Sequence, residues 1–163
     1  MNLKFLTLVS RYENEVYTLA LYLLRDRSDA EDIAQETYIK LWENLEQIDF
    51  MRAKSWLMKV TRNKCLDRLR RRVLENQISS DPLNADQVQG PADTLVQKQQ
   101  ISWLRKAIEN LNEPYRSLIV LRDIQQNSYN EIARTLELNL DQVKVYLYRA
   151  RQQLKSSLQE VET

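Results

Sequence analysis

Residues 75–93, ENQISSDPLNADQVQGPAD, hold the chain's only glycine, two of its three prolines and no sustained apolar period. Everything else in the 163 residues must therefore fold almost without the residues that make tight turns cheap. Helices are favoured over turn-rich sheets on that ground, and a charged fraction of 29% suits helices with one solvated face. The expectation is an all-α protein of two small helical domains, residues 1–74 and 94–163, joined by a flexible linker at 75–93.

In the first half, Phe5, Leu8, Val9, Tyr12, Val16, Leu19, Ala20 and Leu23 repeat at the spacing of one helix face. Ser28 to Glu31 has the form of a capping box and predicts a second helix from about Asp29 to Leu45. Its buried stripe is expected at Ala30, Ile33, Ala34, Thr37, Leu41 and Leu45, widened by Tyr38 and Trp42. The opposite face carries Asp32, Gln35, Glu36, Glu43 and Glu46 around an outward Ile39. An acidic ring with an apolar centre fits a protein partner with a basic contact surface; the same face also reads as ordinary solvated acid.

Charge then reverses. Residues 25–50 carry three cations and eight acids, a local net charge of −5, whereas Arg52 to Arg72 carry nine cations and one acid, a net charge of +8. Near-neutral composition therefore conceals a segregated chain. On a helix from Lys54 to Arg72, Trp56, Val60, Asn63 and Asp67 share a strip, flanked by Lys59, Arg62 and Arg70. Cations that grip phosphate, an aromatic ring, and an amide able to pair with an unstacked base make a nucleic-acid edge. On these residues alone the segment reads equally as a solvated basic helix with Trp56 in the core.

The second half repeats the helical grammar. Ile101, Leu104, Ala107, Ile108 and Leu111 form one face, with Trp103 beside it; Pro114 opens a further helix bearing Tyr115, Leu118, Ile119 and Arg122. Ser128 to Glu131 and Asn139 to Gln142 are two more capping boxes, and only Glu137, Leu138 and Asn139 separate the helices they define. That is helix-turn-helix spacing. The last helix buries Val143, Leu147, Ala150 and Leu154, and turns Lys144, Tyr148, Arg151 and Lys155 outward, with Asp141, Gln142 and Val145 at its start.

With no histidine and one cysteine, Cys65, the chain offers neither a transition-metal cluster nor an internal disulfide, and Cys65 reads as helix packing. No Gly-rich phosphate loop or nucleophile motif occurs, which points away from an enzyme and toward no cofactor. No apolar run approaches membrane-spanning length and no signal-peptide pattern opens the chain, so a cytoplasmic location is expected.

Taken in order, DAEDIAQETYIKLW at 29–42, SWLMKVTRNKCLDRLRRR at 55–72 and LNEPYRSLIVLRDIQQNSYNEIARTLELNLDQVKVYLYRARQQL at 111–154 resemble the two conserved regions of bacterial extracytoplasmic-function (ECF) sigma factors of the sigma-70 family. The resemblance spans nearly the whole chain outside the linker. It implies an initiation factor that binds core RNA polymerase and directs it to promoters. Region 2 would dock Asp32, Gln35, Glu36 and Ile39 on the coiled coil of the polymerase clamp. It would melt the minus-ten element and capture a base of the non-template strand, with Asn63 and the Phe50-to-Lys54 loop, including Arg52, lining the pocket, Trp56 supporting it, and Lys59, Arg62 and Arg70 beside it. Region 4 would read the duplex minus-thirty-five element through Lys144, Val145, Tyr148 and Arg149, with Gln142, Arg151 and Lys155 nearby.

Val145 and Tyr146 stand where many members have Ser and Arg, so the family's base preference does not carry over; Val145 suits a thymine methyl group. No autoinhibitory region precedes Leu3, and the resemblance then implies control from outside by an anti-sigma factor. Two other functions fit parts of the pattern: a stand-alone helix-turn-helix regulator, and an adaptor that binds polymerase without reading promoters. Neither needs an amide and an aromatic ring poised for an unstacked base within a basic helix.

Overall fold

A computed structural model describes residues 2–78 and 95–162, and the chain divides into two compact units between residues 87 and 88. No strand occurs among the described residues. The first unit contains α1 (Leu3–Leu24), α2 (Arg27–Glu43), two single 3-10 turns (Leu45–Gln47 and Phe50–Arg52) and α3 (Ala53–Ile78). The second contains α4 (Leu95–Glu109), α5 (Tyr115–Ile119) continued by a π-turn at Val120–Ile124, α6 (Tyr129–Leu136) and α7 (Leu140–Glu162). Residues 75–78, read as the start of the linker, continue α3, and the linker residues 79–93 lie outside the described residues.

Asn2 caps α1, its side-chain oxygen accepting from the amides of Lys4 and Phe5. The helix ends on Arg25 in the left-handed region at φ 58°, and the next residue, Asp26, is extended and already caps α2 by accepting from Asp29 N at 2.9 Å. The expected box at Ser28 therefore does not form. Asp26 takes the N3 amide two residues earlier, and Ser28 lies inside the first turn.

All three helices of this unit contribute to its core, with Leu8, Val16, Leu19 and Leu23 from α1, Ile33 and Leu41 from α2, and Leu57, Met58 and Cys65 from α3 all at or below 1% exposure. Between α2 and α3 the hydroxyls of Thr37 and Thr61 are buried 3.5 Å apart, and each is satisfied by donating to the carbonyl four residues earlier, Ile33 O and Leu57 O. Lys4 Nζ donates to Leu45 O and Ile48 O, at 2.8 and 2.6 Å. This contact ties the segment leading to Phe50 back onto α1.

In the second unit the two local boxes form as the spacing predicts. Ser128 Oγ accepts from Glu131 N while Glu131 accepts from Ser128 N; Asn139 and Gln142 make the same exchange, at 2.8 and 3.0 Å. Glu137, left-handed at φ 56°, turns α6 into α7. Ile132, Val143, Leu147 and Ala150 pack with Leu118 to Leu121 as the core of the helix-turn-helix. α4 departs from expectation. Ala107 and Ile108 at its C-terminal end are buried, as is Leu111, but Ile101 and Leu104 are exposed, so the stripe is used over only part of its length.

Candidate polymerase and nucleic-acid interfaces

On α2, Asp32, Gln35 and Glu36 are exposed, and Ile39 projects from the same helix at 60% exposure. Trp42, expected to widen the buried stripe, is instead 55% exposed, its ring meeting Phe5 edge-on with centroids 5.2 Å apart. One turn beyond Ile39, it enlarges the apolar part of the outward surface. Tyr38 is half-buried, and burial followed by the Glu13 carboxylate pushes its phenol above the ordinary value.

Glu36 also faces inward. Arg68 reaches Glu36 Oε1 at 3.5 Å with Nη2 and Asp29 Oδ1 at 3.0 Å with Nη1, while Lys64 Nζ lies 3.7 Å from Glu36 Oε2. Arg72 donates to the other Asp29 oxygen and to Leu24 O. Lys64, Arg68 and Arg72 thus pair with α2 inside the unit. Sequence reasoning missed this cluster. Its signal was present as two complementary stripes, acids at 29 and 36 and cations at 64, 68 and 72.

The remaining basic residues flank the proposed DNA edge of α3. Asn63 is exposed, Lys59 and Arg62 are half-buried beside it, and Trp56 is half-buried one to two turns earlier. Val60, on the same strip, is buried, so the strip runs from the core at Val60 to solvent at Asn63. Arg70 pairs with Asp67 at 2.8 Å, both well exposed. In the turn before α3, Phe50 and Arg52 are exposed, Lys54 is half-buried at the helix start, and Arg11 lies 5.5 Å from the Phe50 ring centroid. Asp49 fixes that turn by accepting from Met51 N.

On α7, Gln142, Lys144, Val145, Tyr148, Arg149, Arg151 and Lys155 are all exposed. Gln142 keeps the capping partner that the spacing predicts, whereas Arg151 has a partner that the sequence did not announce. Gln142 turns its carbonyl oxygen to the Asn139 amide as part of the cap. Arg151 is held by Asp123, through Nε to Oδ2 at 3.2 Å and Nη2 to Oδ1 at 2.8 Å. Hydrogen bonding to Asp123 keeps the Arg151 guanidinium above its ordinary pKa, against a lesser lowering by burial. Arg149 lies 5.8 Å from the Tyr146 ring centroid, and Tyr146 meets Tyr115 edge-on.

Among the described residues, no group of acids, histidines and cysteines is placed to hold a metal ion, and no helix is long and apolar enough to cross a membrane.

The model of Sigma-70 region 2 matches residues 8–74, and that of Sigma-70, region 4 matches residues 101–154. The chain is 33% identical over 157 residues to the ECF RNA polymerase sigma factor SigE of Mycolicibacterium smegmatis, covering 93% of this chain but only 60% of SigE. It is 30% identical to the ECF RNA polymerase sigma factor SigM of Bacillus subtilis over 148 residues, covering 89% of each. Among solved structures, the sigma factor RpoE from Bartonella quintana, crystallised with the anti-sigma factor NepR, shares the fold with a TM-score of 0.77 at 24% identity, over 93% of this chain and 94% of RpoE. CnrH, solved with the cytosolic domain of CnrY, gives a TM-score of 0.69 at 23% identity, over 98% of this chain and 89% of CnrH.

Proposed function

This chain belongs to the ECF sigma factors of the sigma-70 family, and from that premise we propose how its two units divide the work of promoter recognition. It is an initiation factor that directs RNA polymerase to promoters. The exposed face of α2, with Asp32, Gln35, Glu36 and Ile39, docks on core polymerase: the acids steer a basic partner and Ile39 supplies buried apolar area. Asn63, with Trp56 and the Phe50-to-Lys54 turn, takes a base from the melted minus-ten strand, while Lys59 and Arg62 hold adjacent phosphates. α7 enters the major groove of the duplex minus-thirty-five element, where Lys144, Val145, Tyr148 and Arg149 meet base edges and Lys155 meets phosphate.

The observation that carries this reading is the exposure of an uncharged amide, Asn63, on the one helix that concentrates the positive charge. Duplex attraction alone requires only the cations; an amide can donate and accept at a base edge that is available only after unpairing. A stand-alone regulator is not favoured, because the region 2 model covers residues 8–74 and such a regulator has no use for it. Action beside polymerase places the protein in the cytoplasm. An anti-sigma factor is a further expected partner, since RpoE and CnrH were each solved bound to another chain, in RpoE's case an anti-sigma factor.

Run-off transcription with core polymerase over a promoter library tests the reading. Transcripts should start from a subset of promoters sharing two spaced elements, and only when the chain is added. A chain that binds duplex DNA but never changes the transcripts made by core polymerase would contradict it.

A further inference from the structure

Asp123 lies at the end of the π-turn, outside the motif of the recognition helix, and nothing in the helix-turn-helix pattern assigns it a role. Yet its carboxylate meets Arg151, which stands on the same outward face of α7 as Lys144 and Tyr148. An acid beside a DNA-facing surface repels phosphate, so its presence calls for a physical reason.

The geometry supplies one. Arginine has five N–H donors in a rigid plane. Asp123 engages one edge of that plane, Nε and Nη2, so the pair with Asp123 does not need Nη1 or the second hydrogen of Nη2 on the adjoining edge. The side chains are 46% and 38% exposed, so the pair lies at the surface, within reach of a ligand. Tyr129, at the start of α6, adds a smaller interaction with Arg151, and its own ring is covered by Arg122 at 4.8 Å. The π-turn and α6 thus restrict a side chain that would otherwise sample many rotamers.

We infer that Asp123 is a positioning residue for promoter binding: it fixes the guanidinium of Arg151 so that the edge adjoining the one it holds meets a backbone phosphate where the duplex leaves the recognition helix. This rests on the reading of α7 as the duplex-reading helix. Because the pair is exposed, its loss contributes little to folding stability, so variants remain testable.

Binding of full-length chain, assembled with core polymerase, to a promoter duplex across a salt series separates positioning from simple charge. Asp123→Ala removes a negative charge from the surface, so charge alone demands tighter binding. Positioning demands the opposite, a several-fold weakening, with the slope of log affinity against log salt falling by about one unit as the Arg151 contact is lost. Arg151→Lys should weaken binding similarly despite its unchanged charge, because a point charge cannot be gripped along an edge. Asp123→Glu, which keeps both acceptors, should recover most of the affinity. In an Arg151→Ala background, Asp123→Ala should tighten binding, only repulsion being left. Unchanged or tighter binding by Asp123→Ala with Arg151 intact overturns the inference. Lys144→Ala and Arg149→Ala serve as controls: if they weaken binding while Asp123→Ala strengthens it, only the role of Asp123 fails. If neither control affects upstream binding, the reading of α7 fails and takes this inference with it.

Discussion

Arg68 Nη2 lies 3.5 Å from Glu36 Oε1, so the helix proposed to meet DNA and the helix proposed to meet polymerase share an ion pair. Glu36 is about half exposed and can serve both partners, whereas Asp32 has only the outward role. Asp32→Lys should weaken core binding and leave the urea unfolding midpoint close to wild type, since an isolated exposed charge contributes little. Glu36→Lys should lower both, because the new cation faces Lys64 and Arg68. Fluorescence titration with core polymerase and urea denaturation measure the two quantities. Equal effects of the two reversals on stability would contradict the assignment.

Asp29 accepts from both Arg68 and Arg72, and all three side chains are less than a third exposed. Asp29→Ala takes a shared carboxylate from two partly buried guanidiniums, leaving Arg68 with Glu36 and Arg72 with Leu24 O, and should cost about 1–3 kcal/mol of unfolding free energy. Arg70→Ala, which breaks an exposed pair with Asp67, should cost no more than about 0.5 kcal/mol. Chemical denaturation of both variants checks the contrast.

Gln142 is tied to folding through the Asn139 amide, and it is also proposed to lie beside DNA. Gln142→Glu keeps a carboxyl oxygen for the cap and adds negative charge, so thermal stability should hold while affinity for the upstream duplex falls. Gln142→Ala loses the reciprocal cap and should cost about 0.5–1 kcal/mol. Circular dichroism melts alongside duplex binding separate the two functions.

The predicted base and phosphate contacts of α7 differ in their signatures. Lys144→Ala or Arg149→Ala should cost roughly 1–3 kcal/mol at one base pair and relax the preference there. Lys155→Ala, farther along the helix, should weaken all sequences alike. Competition binding against single-position variants of the upstream element distinguishes them.

These assignments also mark where sequence reading reaches and where it stops. The boxes at Ser128–Glu131 and Asn139–Gln142 were legible because a cap joins residues three apart and depends on little else. Ser28 has an equally good local pattern, but where α2 begins depends on how α1 ends, and the left-handed Arg25 hands the cap to Asp26. Periodicity located the faces of α2 and α4 without revealing how far neighbours cover them, so Trp42, Ile101 and Leu104 were misplaced. The partners of Arg68 and Arg151 lie 39 and 28 residues away along the chain, beyond any local rule. For the same reason the net charge of the +8 segment does not disclose that Lys64, Arg68 and Arg72 pair with α2 inside the unit.

The most direct test of the account is permanganate reactivity of promoter thymines with core polymerase and either wild-type chain or Asn63→Ala, with filter binding over a salt series in parallel. Wild type should expose reactive thymines in the minus-ten element that core polymerase alone does not. Asn63→Ala removes an amide but no charge, so duplex binding and its salt slope should persist while that reactivity falls at promoters carrying the preferred base. If Asn63→Ala opens those promoters as fully as wild type with the same base preference, α3 does not capture the base through Asn63. If wild type exposes no thymines at all, the division of labour proposed for the two units is wrong.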